Sequence, residues 1–174
     1  MRAMKVIMHP ATTFDGFISD LNGECYSWIS EEDEKGYSQA KARAGCVLVG
    51  RKTYEQYKDD FLVEQAKTTI FVYTARTDQK DQDNIKFLRG TPEQIIRQIG
   101  DHGFSEVVVS GGGEVNGALA EAGLVDEIIV SIYSLTLGEG IRLFGSCKPK
   151  LKLKLLSTTQ EVDGIVKNHY QVEK

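Results

Sequence analysis

Short apolar runs separated by helical periodicities organise this chain. Apolar stretches bounded by turn residues occur at Lys5–His9, Gly45–Val49, Thr69–Tyr73, Ile85–Leu88, Glu106–Ser110 and Glu127–Tyr133. They are short, several are β-branched, and they run on without alternation, the pattern of strands covered on both faces. Helical patterns lie between them. Ser30 can cap a helix that opens on Glu31-Glu32-Asp33-Glu34, which puts acids at the favourable end of the dipole. Thr91-Pro92-Glu93-Gln94 is a capping box with proline at the first helical position, and it leads Ile95, Ile96 and Ile99 onto one face until Gly100 or Gly103. Glu114–Ala122, closed by Gly123, places Val115, Ala118, Leu119 and Ala122 on one stripe. The last part changes character. Leu151–Thr158 alternates as a half-buried strand would, Asp163-Gly164 is a turn, and Ile165–Val172 returns. The order predicts an α/β fold with a mixed, mostly parallel central sheet flanked by helices and a C-terminal antiparallel hairpin at one edge.

A chain of 174 residues buries roughly 70% of its unfolded surface, enough for one core. One domain, 1–174, is expected. Net charge is −4 and the densest basic segment, Lys148–Lys154, alternates with leucine, so it reads as a solvated strand face. A nucleic-acid partner is not expected. Cys25, Cys46 and Cys147 have no paired spacing, and His9, His102 and His169 fall in no metal pattern, so no metal is expected. No apolar run reaches the length of a membrane span, and the N-terminus enters Val6-Ile7-Met8 too soon for a signal core. The expectation is a cytoplasmic protein that does not engage membranes.

Chemistry concentrates at two strand-to-helix junctions. Ser110-Gly111-Gly112-Gly113-Glu114 ends one apolar run and enters a helix, setting side-chain-free N–H groups at a helix N-terminus suited to phosphate. Val49-Gly50-Arg51-Lys52-Thr53 is a second such junction, with two cations and a hydroxyl. Two familiar motifs do not apply. Gly111-x-Gly113-x-x-Asn116 lacks the third glycine of the dinucleotide fingerprint. Gly45 to Thr53 carries one residue too many for a P-loop, and its middle is a strand. If both junctions lie at carboxyl ends of parallel strands, they can face one crevice. Further upstream, Thr12–Ser19 and Asn22-Gly23 supply turn chemistry. The single tryptophan, Trp28, is either a core residue or a cover for a flat ligand.

Thr13-Phe14-Asp15-Gly16, Ser27-Trp28-Ile29-Ser30, Val47-Leu48-Val49-Gly50-Arg51-x-Thr53 and the Gly111–Gly113 triplet occur in this order. Gly123-Leu124-Val125-Asp126-Glu127 and Leu137-Gly138-Glu139-Gly140-Ile141-Arg142-Leu143-Phe144 follow them. Together they resemble the C-terminal reductase domain of the bifunctional riboflavin-biosynthesis deaminase-reductase, which shares the dihydrofolate reductase fold. The resemblance implies NADPH as hydride donor, with NADH an alternative. It also implies a small-molecule substrate and a homodimer. Carried over by position, Gly50, Arg51 and Thr53 bind phosphate at one junction and Gly111, Gly112 and Gly113 at the other, with Lys52 and Glu114 as the neighbouring coenzyme-site residues. Thr74 and Arg76 meet the adenosine end, where Arg51 or Arg76 pairs with a 2′-phosphate and the Glu114 carboxylate opposes it.

Asp33, five residues beyond Trp28, and Asp15 are the two candidate catalytic acids. Plain helix-start and turn roles are the alternatives for them. Asp15 and Trp28 are the candidate substrate contacts. The implied reaction is hydride transfer to a C=N or C=O group of a pyrimidine or pterin, foremost the phosphoribosylaminouracil of riboflavin synthesis. A dihydrofolate-type reductase and a non-catalytic nucleotide-binding dimer are the alternatives. Lys58-Asp59-Asp60-Phe61 and Thr69–Tyr73 depart from the family's sugar-phosphate contacts.

Overall fold

A computed structural model of the chain describes residues 4–25, 27–64 and 66–174. The buried apolar runs form parallel strands: β1 (Lys5–Met8), β4 (Cys46–Gly50), β5 (Thr69–Tyr73), β6 (Ile85–Leu88), β7 (Glu106–Gly111) and β8 (Glu127–Tyr133). Two short strands follow β1: β2 (Ala11–Thr13) and β3 (Phe17–Ser19). A third, β9 (Ile141–Arg142), precedes the closing pair β10 (Lys152–Gln160) and β11 (Val166–Glu173). The helices are α1 (Glu31–Ala44), α2 (Arg51–Gln56), α3 (Lys58–Glu64), α4 (Pro92–Asp101) and α5 (Gly113–Glu121).

Among the described residues the main sheet runs β10-β11-β8-β1-β7-β4-β5-β6, and β2 carries the β1 edge onward along β8. The strands from β8 to β6 are mutually parallel, while β11 and β10 add antiparallel pairs at one edge. The mixed, mostly parallel sheet and its hairpin match the expectation from the sequence.

Alternation along each strand sorts the core into two layers. Val47, Val49, Ile70, Val72 and Val108 pack with Ala40, Ala44, Tyr54 and Phe61 from α1, α2 and α3. Cys46, Leu48, Phe71, Val107 and Val109 pack on the other face with Ile95, Ile96, Ile99, Val115 and Leu119 from α4 and α5. The consequence falls at β4 and β7, which are neighbours. The chain leaves β4 toward one face and β7 toward the other, so a crevice opens between their carboxyl ends, the topological switch point of an open α/β sheet.

Two expectations need correction. The strand read as half-buried, β10, is exposed along its whole length, including Leu153 and Leu155. It is the outer strand of the sheet, and alternation marks an apolar face without providing a layer to cover it. The helix after the glycine triplet buries a different stripe from the predicted one: Val115 and Leu119 are buried, Ala118 and Ala122 only partly, and Asn116, Gly117 and Ala120 are buried where no burial was expected. Residues 142–147 lie against α5 at Gly113 and Gly117. Asn116 Nδ2 donates to the Leu143 carbonyl at 3.0 Å, and Glu121 accepts the Lys148 N–H at 2.8 Å. Gly117 permits this approach, since a Cβ there would lie 2.4 Å from the Phe144 oxygen and 2.5 Å from Cys147 Cβ. Gly117→Ala is therefore expected to cost about 1–3 kcal/mol by overpacking. Urea unfolding checks this as a lower midpoint at unchanged slope.

Candidate functional site

The two glycine junctions lie side by side. Val49 is in register with Gly111 across β4 and β7, and a Cβ on Gly50 would sit 3.6 Å from both the Gly111 oxygen and the Gly112 nitrogen. A Cβ on Gly112 would lie 3.0 Å from Thr53 Oγ1. These helix starts differ from those of α1 and α4. Ser30 caps α1 and Thr91 caps α4 through their side chains, whereas Gly50 and Gly112 offer no side-chain cap to α2 and α5. The first-turn N–H groups of α2 and α5 therefore lack the side-chain acceptor that α1 and α4 have.

A cleft of about 960 Å³ opens over this pair. Gly50, Arg51, Lys52 and Thr53 line it from one junction, Gly111, Gly112, Gly113 and Glu114 from the other, and Thr74 from the end of β5. Arg76 does not line it. Its guanidinium lies 3.5 Å from Glu55, whose other oxygen is paired with Arg51, so two cations bracket one carboxylate beside the cleft mouth. Thr74 Oγ1 accepts the Arg76 N–H at 3.0 Å and holds that turn. Both Glu114 oxygens are engaged by Ser146, one by its N–H and one by its hydroxyl, each at 2.8 Å.

Of the two candidate acids, Asp33 lines the cleft and Asp15 does not. Asp33 is the third residue of α1 and its N–H donates to the Ser30 cap, so the helix-start role is present. Its side chain does more. Ser131 Oγ donates to Oδ1 at 2.6 Å, the Tyr133 hydroxyl donates to Oδ2 at 3.2 Å, and Lys167 Nζ lies 3.1 Å from Oδ1. Lys167 also pairs with Glu161 at 2.6 Å, tying Asp33 to the hairpin turn. Burial works against the Lys167 ammonium, yet bonds to Glu161 and Asp33 outweigh it and raise its pKa above that of an ordinary lysine. His9, also on the cleft wall, is pushed below the usual histidine range by burial, with the Asp33 carboxylate partly opposing. None of Ser131, Tyr133, Lys167 or His9 carried a motif that marked it in the sequence.

Asp15 is occupied as a loop fastener. It accepts from Thr13 Oγ1 at 2.6 Å and from the N–H groups of Leu137 and Gly138 at 3.3 and 2.8 Å. The Thr13 bond leads the effects that hold its carboxyl below the ordinary range. That fastening sets the small second sheet, in which β3 pairs antiparallel with β9 and places Ile18, Ser19 and Ile141 over the cleft. Trp28 also lies outside the lining; its ring meets Tyr133 edge-on with centroids 5.0 Å apart, behind the Asp33 cluster. Asp15 and Trp28 therefore lie outside the cleft lining, packed around it.

Comparison with known proteins agrees with this architecture. The chain is 27% identical over 161 residues to the YwjB protein of Bacillus subtilis (strain 168), covering 90% of this chain and 91% of that one. It superposes on dihydrofolate reductase from Enterococcus faecalis, solved with NADP(H), with a TM-score of 0.77 at 18% identity, covering 100% and 99% of the two chains. The deaminase/5-amino-6-(5-phosphoribosylamino)uracil reductase of Thermotoga maritima gives a TM-score of 0.80 at 17% identity, with 99% of this chain matched to 57% of that one. No helix among the described residues is long and apolar enough to cross a membrane. The profile of the RibD C-terminal domain matches residues 4–167, and the chain belongs to that family.

Proposed function

We propose that the protein is a reductase that uses NADPH to deliver a hydride to a C=N or C=O group of a pyrimidine- or pterin-type ring. The observation that carries this reading is the adjacency of the two glycine junctions at the floor of a cleft that the largely buried Asp33 also lines. A dinucleotide fits there because a side chain at Gly112 would fill the space against Thr53, and glycine leaves it open. When bound, the coenzyme supplies the hydride. The chain supplies everything else.

The N–H groups opening α2 and α5 bind the pyrophosphate. Arg51, with Arg76 behind Glu55, provides the cations for a 2′-phosphate, and the Glu114 carboxylate is oriented toward Ser146 by two hydrogen bonds. Asp33, fixed by Ser131, Tyr133 and Lys167, fronts the part of the cleft where the ring lies and orients its N–H groups. Hydride delivered to the ring carbon is balanced by a proton that the neighbouring heteroatom takes from solvent water at the cleft mouth, while β3 and β9 line that part of the cleft.

The test is a change in NADPH fluorescence on mixing with the protein, followed by loss of its absorbance when a pyrimidine or pterin ring is added. Failure to bind either NADPH or NADH overturns the reading. Arg51→Ala is expected to weaken NADPH about fivefold more than NADH, since it removes a charge-assisted contact only the phosphorylated coenzyme makes. Titration of each coenzyme checks this, and equal losses would exclude Arg51 from that role.

A further inference from the structure

One titratable side chain on the cleft wall takes no part in the phosphate contacts or in holding Asp33. His9 follows β1, and Pro10 after it has no N–H, so the strand stops there and the chain crosses to β8 as β2. The crossing is pinned. The Ser131 N–H donates to the Pro10 carbonyl at 3.0 Å, while the Ser131 hydroxyl donates to Asp33 at 2.6 Å. One residue of β8 thus fixes both the His9–Pro10 backbone and the Asp33 carboxylate.

Strand alternation sets the direction of the ring. Val6 and Met8 pack on the α4 and α5 face, so His9 turns to the opposite face, toward α1. Its ring meets that of Tyr37 with centroids 5.7 Å apart, and the Tyr37 hydroxyl is hydrogen-bonded to Ser110, the residue before the glycine triplet. Met8 is in register with Val109, which sets His9 level with Ser110. Tyr37 lies one helical turn beyond Asp33 on α1. His9 is therefore beside both the Gly111 bend and Asp33, at the end of the cleft assigned to the substrate ring.

Its polar neighbours are engaged with one another. Ser131, Tyr133 and Lys167 occupy the Asp33 oxygens, and Lys167 also holds Glu161. No side chain among the described residues is hydrogen-bonded to the His9 ring. Burial favours the neutral imidazole, with Asp33 and Glu161 opposing and Lys167 assisting. A neutral imidazole has one N–H to donate, and such a donor polarises a C=N or C=O group without giving up its proton.

We propose that His9 is a catalytic residue whose ring N–H donates a hydrogen bond to the heteroatom of the C=N or C=O group that accepts hydride. The proposal rests on the reductase reading. As hydride joins the carbon, the π electron pair moves onto the heteroatom. The His9 N–H stabilises that charge, and solvent water supplies the proton, so the imidazole keeps its own.

The experiment titrates two ring compounds, 7,8-dihydrofolate and 5-amino-6-(5-phosphoribosylamino)uracil, into the full chain without coenzyme. The ring nitrogens of histidine are observed by NMR, and the His9 signals are assigned by their loss in His9→Gln. At least one compound is expected to shift the His9 signals and leave those of His102 and His169, which do not line the cleft. Turnover of that compound with NADPH is expected to fall about 100-fold in kcat for His9→Leu. His9→Gln, whose amide keeps an N–H donor, is expected to recover about tenfold of that loss. NADPH affinity, read by fluorescence, is expected to be unchanged in both variants. A His9 ring unmoved by both compounds overturns the proposal whether or not turnover is seen. So does an unchanged kcat in His9→Leu, or a loss matched by weaker NADPH binding. Failure of the wild type to bind NADPH or NADH removes the reductase reading, whereas the ring titration needs no coenzyme and reads the His9 contact by itself.

Discussion

Gly112→Val is expected to weaken NADPH binding about 100-fold, equivalent to about 2.7 kcal/mol, with little change in the unfolding midpoint. Position 112 has φ −73°, which any residue adopts, so a side chain there imposes no left-handed strain. Its Cβ would lie 3.0 Å from Thr53 Oγ1, and the two γ carbons of valine would reach further into the gap between the α2 and α5 starts. That gap is where the coenzyme phosphates are proposed to rest. Fluorescence titration of NADPH into wild type and variant, with urea unfolding of both, separates a blocked cradle from a damaged fold. Unimpaired binding by a folded Gly112→Val protein would remove the cradle from the proposal.

The second large effect concerns stability. Lys167→Met is expected to cost about 3–5 kcal/mol, the range for removing one partner of a buried ion pair. Asp33 and Glu161 have side chains 7% and 11% exposed, and both contact the same ammonium. Methionine keeps much of the stem but leaves two carboxylates in poor solvent without their cation. The pH dependence follows from the direction of the Lys167 shift. A lysine whose folded pKa is raised binds its proton more tightly when folded, so its contribution is complete below the unfolded value of about 10.4. It is lost as pH climbs through the raised folded value. Urea midpoints should therefore fall for the wild type above that point and stay flatter for Lys167→Met. Near-equal stability of the two proteins at neutral pH would show that the triad contributes little.

Much of the fold was legible because the central strands are short β-branched runs that need no distant partner to be recognised. The two helix starts at Ser30 and Thr91 were legible because capping is local, and both side-chain caps are present. The small pieces were not. The strands β3 and β9 are three and two residues long, and they exist because Phe17 pairs with Arg142 and Ser19 with Ile141. No local pattern encodes such a pairing. The exposure of β10 was missed for a related reason, since alternation cannot say whether a layer lies above the strand.

The site divides the same way. Glycine between a strand and a helix signals its geometry locally, so both junctions could be read directly, and their register could be anticipated from a parallel sheet. The surroundings of Asp33 could not. Ser131 and Tyr133 lie 98 and 100 residues from it in sequence, and Lys167 sits in a strand whose polar residues resemble an ordinary solvated face. Asp15 and Trp28 stood out because their residue types suit chemistry. Their partners, Thr13 and the 137–138 backbone for one and Tyr133 for the other, occupy them in support of the cleft.

The most direct measurement is a crystal structure of the protein soaked with NADPH. The expected density runs across both glycine bends, with the pyrophosphate against the N–H groups that open α2 and α5 and the nicotinamide toward Asp33. A coenzyme bound elsewhere on the molecule, or a pyrophosphate that touches neither bend, would contradict the assignment.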